Sequence, residues 1–196
     1  VQFTKGDYLL FLNNDTEMIT ETALSELLGC CMREDVGAVG AKLLYSDDTV
    51  QHAGVVIGFG GYAGHVNMGI KRDDYGYMVR ARINCNYSAV TAACMMTKKS
   101  LFEQVGGFDE QFVVACNDVD YCLKIRELDK WVIYNAFSEW YHYESKSRGY
   151  EDTPEKLKRF EGEVEKFQKK WPEILEKGDP FYNPNFPINR APFTWG

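Results

Sequence analysis

The sequence predicts an α/β domain with a mixed sheet and helices on both of its faces. Apolar runs typical of strands alternate along the chain with segments whose apolar residues recur at helical spacing. The connections between these segments differ in length, which leaves room for antiparallel strands. At 196 residues the chain has the length of one ordinary domain and can bury a sizeable core.

The first half of the chain contains three predicted strands and one helix. The run YLLFL (residues 8–12) is apolar throughout, as in a strand covered on both faces. Residues 19–35 predict an amphipathic helix with Thr20 as its N-cap. Strands are expected at 36–45 and 53–59, separated by the polar turn SDDTVQ. The segment from Gly60 to Cys85 has no clear periodicity, which is typical of a functional or mobile loop.

The second half continues the alternation. YSAVTAACMM predicts a buried strand, KKSLFEQV a short helix, DVDYCLKIREL a longer helix, and KWVIYN and SEWYHY two short strands. Residues 1–152 would form the main part of the domain. Residues 153–196 would pack on it as an amphipathic helix, with Pro154 in its first turn, followed by an extended tail rich in proline and aromatic residues.

Charge and composition restrict the function and the location. The net charge of −7 argues against binding to nucleic acid. Six cysteines follow no CxxC pattern and are expected to be reduced thiols, although a structural zinc site stays open. No signal-peptide pattern opens the sequence, and no apolar segment approaches the roughly 20 residues of a membrane span. The simplest location is the cytoplasm, with peripheral contact at the inner face of a membrane as an alternative.

Two amides and a carboxylate end the first strand, at Asn13, Asn14 and Asp15. Such residues often form turns by bonding to their own backbone. However, ligands bind at the carboxyl ends of strands in α/β sheets, where a carboxylate can coordinate Mg²⁺ or Mn²⁺. The local sequence leaves both interpretations open.

Two further segments carry candidate chemical groups. Asp118 begins a predicted helix, where the helix dipole favours the ionised form and a general base becomes possible; a simple first-turn acid is the alternative. His142 ends a predicted strand and is followed by Ser145 and Arg148. A histidine among aromatic residues is often structural, but beside Asp15 it could complete a metal site with basic groups near phosphate oxygens.

The order of these motifs resembles that of glycosyltransferase family 2, whose members are inverting, use nucleotide sugars and have the Rossmann-like GT-A fold. GDYLLFLNND is similar to the strand that ends in the family's metal-binding DxD-type motif. TAACMMTKKSLFEQVGGFDEQF followed by NDVDYCLKI is similar to the acceptor segment with its Glu-Asp motif, and WYHYESKSRG to the closing His-x-x-x-Ser region.

The resemblance implies a role for each candidate residue. Asp118 would be the catalytic base, and Asp15 and His142 would bind Mg²⁺ or Mn²⁺. The donor diphosphate would contact Asn13, Asn14, Ser145 and Arg148, and the sugar and acceptor would lie near Ala93, Cys94, Gly106, Gly107 and Asn117. The partners would be a nucleotide-sugar donor and a glycan acceptor, in bacterial polysaccharide synthesis.

Two departures from the family pattern matter. Asn117 stands where the family usually has Glu, and the family's amino-terminal nucleotide-binding strands have no counterpart before Val1. The chain therefore resembles a partial GT-A domain that is weakly active or inactive alone and could form a homodimer through an exposed sheet edge. A non-catalytic glycan- or partner-binding module and a glycoside hydrolase with an Asp15–Asp118 carboxylate pair remain alternatives.

Overall fold

The structure is a computed structural model that describes residues 1–143 and 153–193. The strands are β1 (Tyr8–Leu12), β2 (Thr16–Met18), β3 (Val36–Leu44), β4 (Val50–His52), β5 (Val55–Ile57), β6 (Ala63–His65), β7 (Cys85–Tyr87), β8 (Cys94–Lys98) and β9 (Trp131–His142). The α-helices are α1 (Ala23–Cys31), α2 (Lys99–Gln104), α3 (Asn117–Glu127), α4 (Pro154–Lys170) and α5 (Pro172–Lys177).

The sheet is mixed, as the uneven connections predict. β3 and β9 run parallel at the centre of a seven-stranded sheet, and every other pairing in it is antiparallel. β8 and then β1 follow on one side of β3, while β2 and β7 pair with β9 on the other. β5 and β6 form a separate hairpin.

Helices cover both faces of the central strands, which explains why β3 is buried along its whole length. Val39, Ala41 and Leu43 face α1, where they pack with Leu27. Ala38 and Leu44 face the opposite layer, which contains α3 and residues of α4 and the tail. Because both faces are apolar, β3 reads as a nearly continuous hydrophobic run rather than an alternating one.

Strand β1 is less buried than its unbroken apolar run predicts. It pairs only with β8 among the described strands and therefore lies at the edge of the sheet. Leu9 is buried, but Leu12 is 44% exposed and the other three residues are half-buried. Phe11 packs on Phe102 of α2, and Tyr8 and Leu10 pack against the cluster that contains α1 residues, so both faces of this strand have apolar contacts but most of its residues stay partly exposed.

The segment predicted as two strands at 130–135 and 138–143 is one long strand, β9. Its register with β3 jumps between Ala41 and Lys42, which pair with Asn135 and Glu139, so the residues between bulge outward. The Asn135 side-chain oxygen accepts hydrogen bonds from the backbone of Phe137 (2.9 Å) and Ser138 (3.1 Å). The polar Asn135 therefore stabilises a bulge rather than ending the strand.

Three other predicted boundaries were wrong. YSAVTAACMM is divided between β7 and β8, and the predicted turn SDDTVQ includes the start of β4. Helix α1 begins after Thr22 rather than after Thr20. The Thr20 hydroxyl instead accepts a hydrogen bond from the backbone of Glu139 (3.2 Å), a contact that depends on a strand 119 residues away.

The segment between Gly60 and Cys85 is anchored to the centre of the sheet. Lys42, only 1% exposed, donates to the carbonyl oxygen of Arg72 (2.7 Å) and pairs with Glu139 (3.0 Å). The Arg72 guanidinium also pairs with Glu139 at 2.7 Å. This half-buried ion-pair network attaches a segment without clear periodicity to β3 and β9.

The carboxy-terminal elements pack on the same core. Helix α4 begins as predicted, with the Thr153 hydroxyl accepting from Lys156 N (3.3 Å). Phe167 is fully buried, whereas Leu157, predicted on the same face, is 47% exposed. In the described part of the tail, the Asp179 carboxylate accepts from Ile57 N (2.7 Å), and burial raises its pKa.

All six cysteines are free thiols, as predicted. Burial raises the pKa of Cys31, Cys94 and Cys116 to about 12, so these three behave as small apolar groups. Within residues 1–143 and 153–193, the helices are too short or too polar to cross a bilayer.

Candidate functional site

The turn after β1 presents the first three candidate residues. Asn13 and Asn14 are exposed and Asp15 is half-buried. The Thr16 hydroxyl donates to the Asn13 carbonyl (2.7 Å), so this segment is indeed a turn, and it leads into β2. The turn and ligand interpretations are compatible here, because the turn directs the Asp15 carboxylate toward the end of β9.

Asp15 and His142 converge although 127 positions separate them. Asp15 Oδ1 lies 3.3 Å from His142 Nε2, and the two side chains are 15% and 12% exposed. Asn13 Nδ2 lies 3.1 Å from the same ring nitrogen. The pairing of Thr16 with His142 across β2 and β9, together with the bond from Tyr143 N to the Asp15 carbonyl (2.9 Å), fixes this arrangement.

A fourth side chain at this cluster escaped the sequence analysis. Gln51, in β4 and 5% exposed, places its Oε1 2.6 Å from His142 Nδ1. Its Nε2 donates to the His142 carbonyl oxygen (3.3 Å). In the sequence, the only sign of a role for Gln51 was its position next to His52. The polar residues around it are typical of a turn.

Asp118 lies in the first turn of α3 and is oriented by two backbone groups. Its Oδ2 accepts from Ala92 N (3.1 Å) and its Oδ1 from Val119 N (2.9 Å). The next residue along the chain, Ala93, accepts at its carbonyl oxygen from Asn13 N (2.9 Å). The segment 92–93 therefore connects the Asp118 carboxylate directly to the turn that carries Asp15.

The remaining pocket candidates have structural contacts of their own. Asn117 Oδ1 accepts from Asp118 N (2.7 Å), and the Cys94 side chain is fully buried. Gly106 and Gly107 follow α2 with φ of +77° and +70°, and Gly107 N donates to Phe102 O (2.8 Å). They end the helix in a conformation that favours glycine.

The geometry at Asp15 and His142 fits a divalent cation only in part. Two neighbouring ligands of an octahedral ion with bonds of about 2.1 Å lie about 3.0 Å apart, close to the observed 3.3 Å. Within the described ranges, no three His, Cys, Asp or Glu residues form a metal-binding group. Two protein ligands suffice where substrate phosphates and water complete the shell, as is usual for Mg²⁺. Ser145 and Arg148 lie outside the described residues.

The three histidines, 52, 65 and 142, approach one another in space. His52 is fully buried, with its Nδ1 3.1 Å from His65 Nδ1. Burial, and then the proximity of His65 and His142, holds the pKa of His52 well below its usual value. His52 is therefore a neutral group packed behind the cluster.

A large cavity lies apart from these candidates. A cavity of about 940 Å³ is lined by β5, α5 and the tail, and includes none of Asp15, Asp118 and His142. Asp15 and His142 instead meet where β1 and β9 end, and ligands of α/β sheets bind at strand ends.

Two curated relatives align with nearly the whole chain. It is 44% identical over 192 residues to the uncharacterised protein y4gI of Sinorhizobium fredii and 38% identical over 187 residues to the O-antigen biosynthesis protein RfbC of Myxococcus xanthus. The alignments cover 97% and 93% of this chain but only 21% and 14% of the relatives. The chain thus spans less than a quarter of either protein. No protein-family model matches it.

Among solved structures, the chain is similar to the mannosyltransferase PcManGT from Pyrobaculum calidifontis, which was solved in complex with GDP-Man and Mn²⁺. The TM-score is 0.50 at 14% identity, covering 89% of this chain and 49% of the mannosyltransferase. At this identity the likeness concerns the fold alone. The chain has a mixed α/β fold similar to that of a glycosyltransferase.

Proposed function

We propose that the chain is the carboxy-terminal part of the catalytic domain of an inverting glycosyltransferase of family 2, with a GT-A fold. The single observation that carries this proposal is the convergence of Asp15 and His142 beside a backbone segment that also binds Asp118. The enzyme would transfer a sugar from a nucleotide-diphosphate sugar to an acceptor hydroxyl. The similarity to an O-antigen biosynthesis protein supports bacterial surface polysaccharide synthesis as its setting.

Asp118 acts as the general base. Each of its oxygens accepts one backbone N–H, which orients the carboxylate and leaves further lone pairs for a substrate proton. The acceptor hydroxyl transfers its proton to Asp118 while its oxygen attacks the anomeric carbon. The bond to the nucleoside diphosphate breaks on the opposite side, and the configuration inverts. General-base catalysis contributes about 10²- to 10⁴-fold in rate.

Asp15 Oδ1 and His142 Nε2 are the protein groups that would hold Mg²⁺ or Mn²⁺. When bound, the cation stabilises negative charge on the departing diphosphate. The exposed amides of Asn13 and Asn14 donate to phosphate oxygens, with Ser145 and Arg148 as further proposed contacts. Ala93, Cys94, Gly106, Gly107 and Asn117 remain proposed for the sugar and acceptor pocket.

The edge position of β1 supports the proposal that further strands complete the nucleotide-binding part of the domain. The chain alone would then be weakly active or inactive. The cytoplasm remains the proposed location, with the inner face of the membrane as the alternative.

The proposal is tested by measuring nucleoside diphosphate release from a panel of nucleotide sugars with a glycan acceptor and Mn²⁺. The assay uses the chain and a version extended upstream. Wild-type extended protein is expected to turn over, and Asp118→Asn to lose at least about 10²-fold in turnover with donor binding retained. Unchanged turnover in the variant would refute the role of Asp118. Absence of turnover and donor binding in every form would refute the function.

A further inference from the structure

Gln51 contacts His142 through both ends of its amide. The Oε1–Nδ1 distance is 2.6 Å and the Nε2–O distance to the His142 carbonyl is 3.3 Å. The orientation of the amide is determined, because a backbone carbonyl oxygen can only accept and must face the amide nitrogen. The amide oxygen therefore faces the imidazole ring.

This orientation determines which ring nitrogen of His142 carries hydrogen. An amide oxygen has no hydrogen to donate, so Nδ1 must be the donor of the 2.6 Å bond. In the neutral ring Nε2 then keeps its lone pair. The amide nitrogen of Asn13, which can only donate, lies 3.1 Å from Nε2 and agrees with this tautomer.

The lone pair on Nε2 is located where a cation would need it. Asp15 Oδ1 lies 3.3 Å from Nε2. A cation between these two acceptors would relieve their repulsion and would replace the Asn13 N–H at Nε2. Histidine ligands of metals usually donate their second ring N–H to an oxygen acceptor, and this partner fixes the ring for coordination. Gln51 is such an acceptor.

We propose that Gln51 is a positioning residue that holds His142 in the Nδ1–H tautomer and presents Nε2, together with Asp15, to a divalent cation. The inference rests on the proposed function and names a residue that the family resemblance did not include. Gln51 lies on β4 and His142 at the end of β9, so the contact joins two strands that both pair with β3. Its burial keeps competing water away from the 2.6 Å bond.

The test measures Mn²⁺ affinity of the chain by the electron paramagnetic resonance signal of free Mn²⁺, with Mn²⁺ alone as the probe. Gln51→Leu removes the acceptor with little change in volume, and Gln51→Glu retains an oxygen facing Nδ1. Gln104→Leu is the matched control, because Gln104 is exposed at the end of α2. Asp15→Asn reports on the metal site itself.

Gln51→Leu is expected to weaken Mn²⁺ binding about 10- to 100-fold. Gln51→Glu retains an acceptor for Nδ1 but loses the donor to the His142 carbonyl oxygen, so its loss should be smaller, and Gln104→Leu should be unchanged. The ¹⁵N shifts of His142 should show the Nδ1–H tautomer in the wild type and loss of that preference in Gln51→Leu. A purely structural role would leave this signature unchanged. Thermal unfolding of each variant confirms that it is folded.

Two results separate failure of the inference from failure of the proposed function. If Asp15→Asn loses Mn²⁺ while folded Gln51→Leu binds it as tightly as wild type, the role of Gln51 is refuted and the metal site stands. If the wild type does not bind Mn²⁺, or Asp15→Asn binds it equally well, the metal site and the inference built on it are both refuted.

Discussion

Glu163 offers the sharpest test of how the segment before α3, the helix that carries Asp118, is held in place. This side chain of α4 is 2% exposed. Its carboxylate accepts three backbone hydrogen bonds, from Val113 (3.3 Å), Val114 (3.2 Å) and Ala115 (2.6 Å). These residues lead directly into α3 and Asp118. Replacing Glu163 by Ala removes the acceptor for all three N–H groups while leaving α4 able to form.

The expected loss in the free energy of unfolding depends on how deeply the three backbone donors are buried. Val113 is 69% exposed, so water can replace its lost partner, whereas Val114 and Ala115 are half-buried. An unsatisfied buried donor costs about 1–3 kcal/mol, so two such donors give about 2–6 kcal/mol. This is a large part of the about 5–15 kcal/mol that stabilises a typical domain.

Urea unfolding followed by circular dichroism measures the change from the shift in midpoint at constant slope. Glu165→Ala, an exposed position on the same helix, is the matched control and should change the free energy of unfolding by less than about 0.5 kcal/mol. Glu163→Gln should give an intermediate loss, because it retains one acceptor but places an amide N–H group near backbone donors. A loss below about 1 kcal/mol for Glu163→Ala would contradict the account of these bonds.

Two further predictions concern pH and assembly. The pKa of His52 is depressed in the folded state, while the unfolded value is about 6.5. Stability should therefore be fully present above about pH 6.5 and fall below it by up to about 1.4 kcal/mol per pH unit. His52→Asn should flatten this slope in urea unfolding at pH 7 to 5, and an equally steep slope in that variant would refute the assignment. The exposed edge of β1 predicts a homodimer or a swapped assembly at high concentration, which light scattering would reveal, and a monomer across a broad concentration range would count against it.

The local sequence pattern was sufficient to predict an element where that element's own residues determine how it is buried. The apolar run predicted β3, and the helical spacing of apolar residues predicted α3. In both elements the local sequence itself shows which side chains are buried. The edge position of β1 could not be predicted in this way. An apolar run is the same at the edge and at the centre of a sheet, and only the set of pairing strands distinguishes them.

The candidate site was predictable only in its parts. The sequence offered Asp15, Asp118 and His142 as candidates, and the structure brings Asp15 within 3.3 Å of His142. The contact from Gln51 could not be predicted, because it spans 91 positions and depends on how β4 and β9 both pair with β3. The role of Glu163 could not be predicted either, because an acidic residue on an amphipathic helix is usually exposed.

The two hydrogen bonds at Ala92 and Ala93 have a consequence for substrate choice. Asp118 accepts from Ala92 N and the Ala93 carbonyl oxygen accepts from Asn13 N, so these two consecutive residues set the spacing between the proposed proton acceptor and the proposed leaving-group region. Attempts to alter which sugar or acceptor is used should therefore leave this dipeptide unchanged and vary the surrounding loops. Any shift of the dipeptide would displace Asp118 and the turn of Asn13 together.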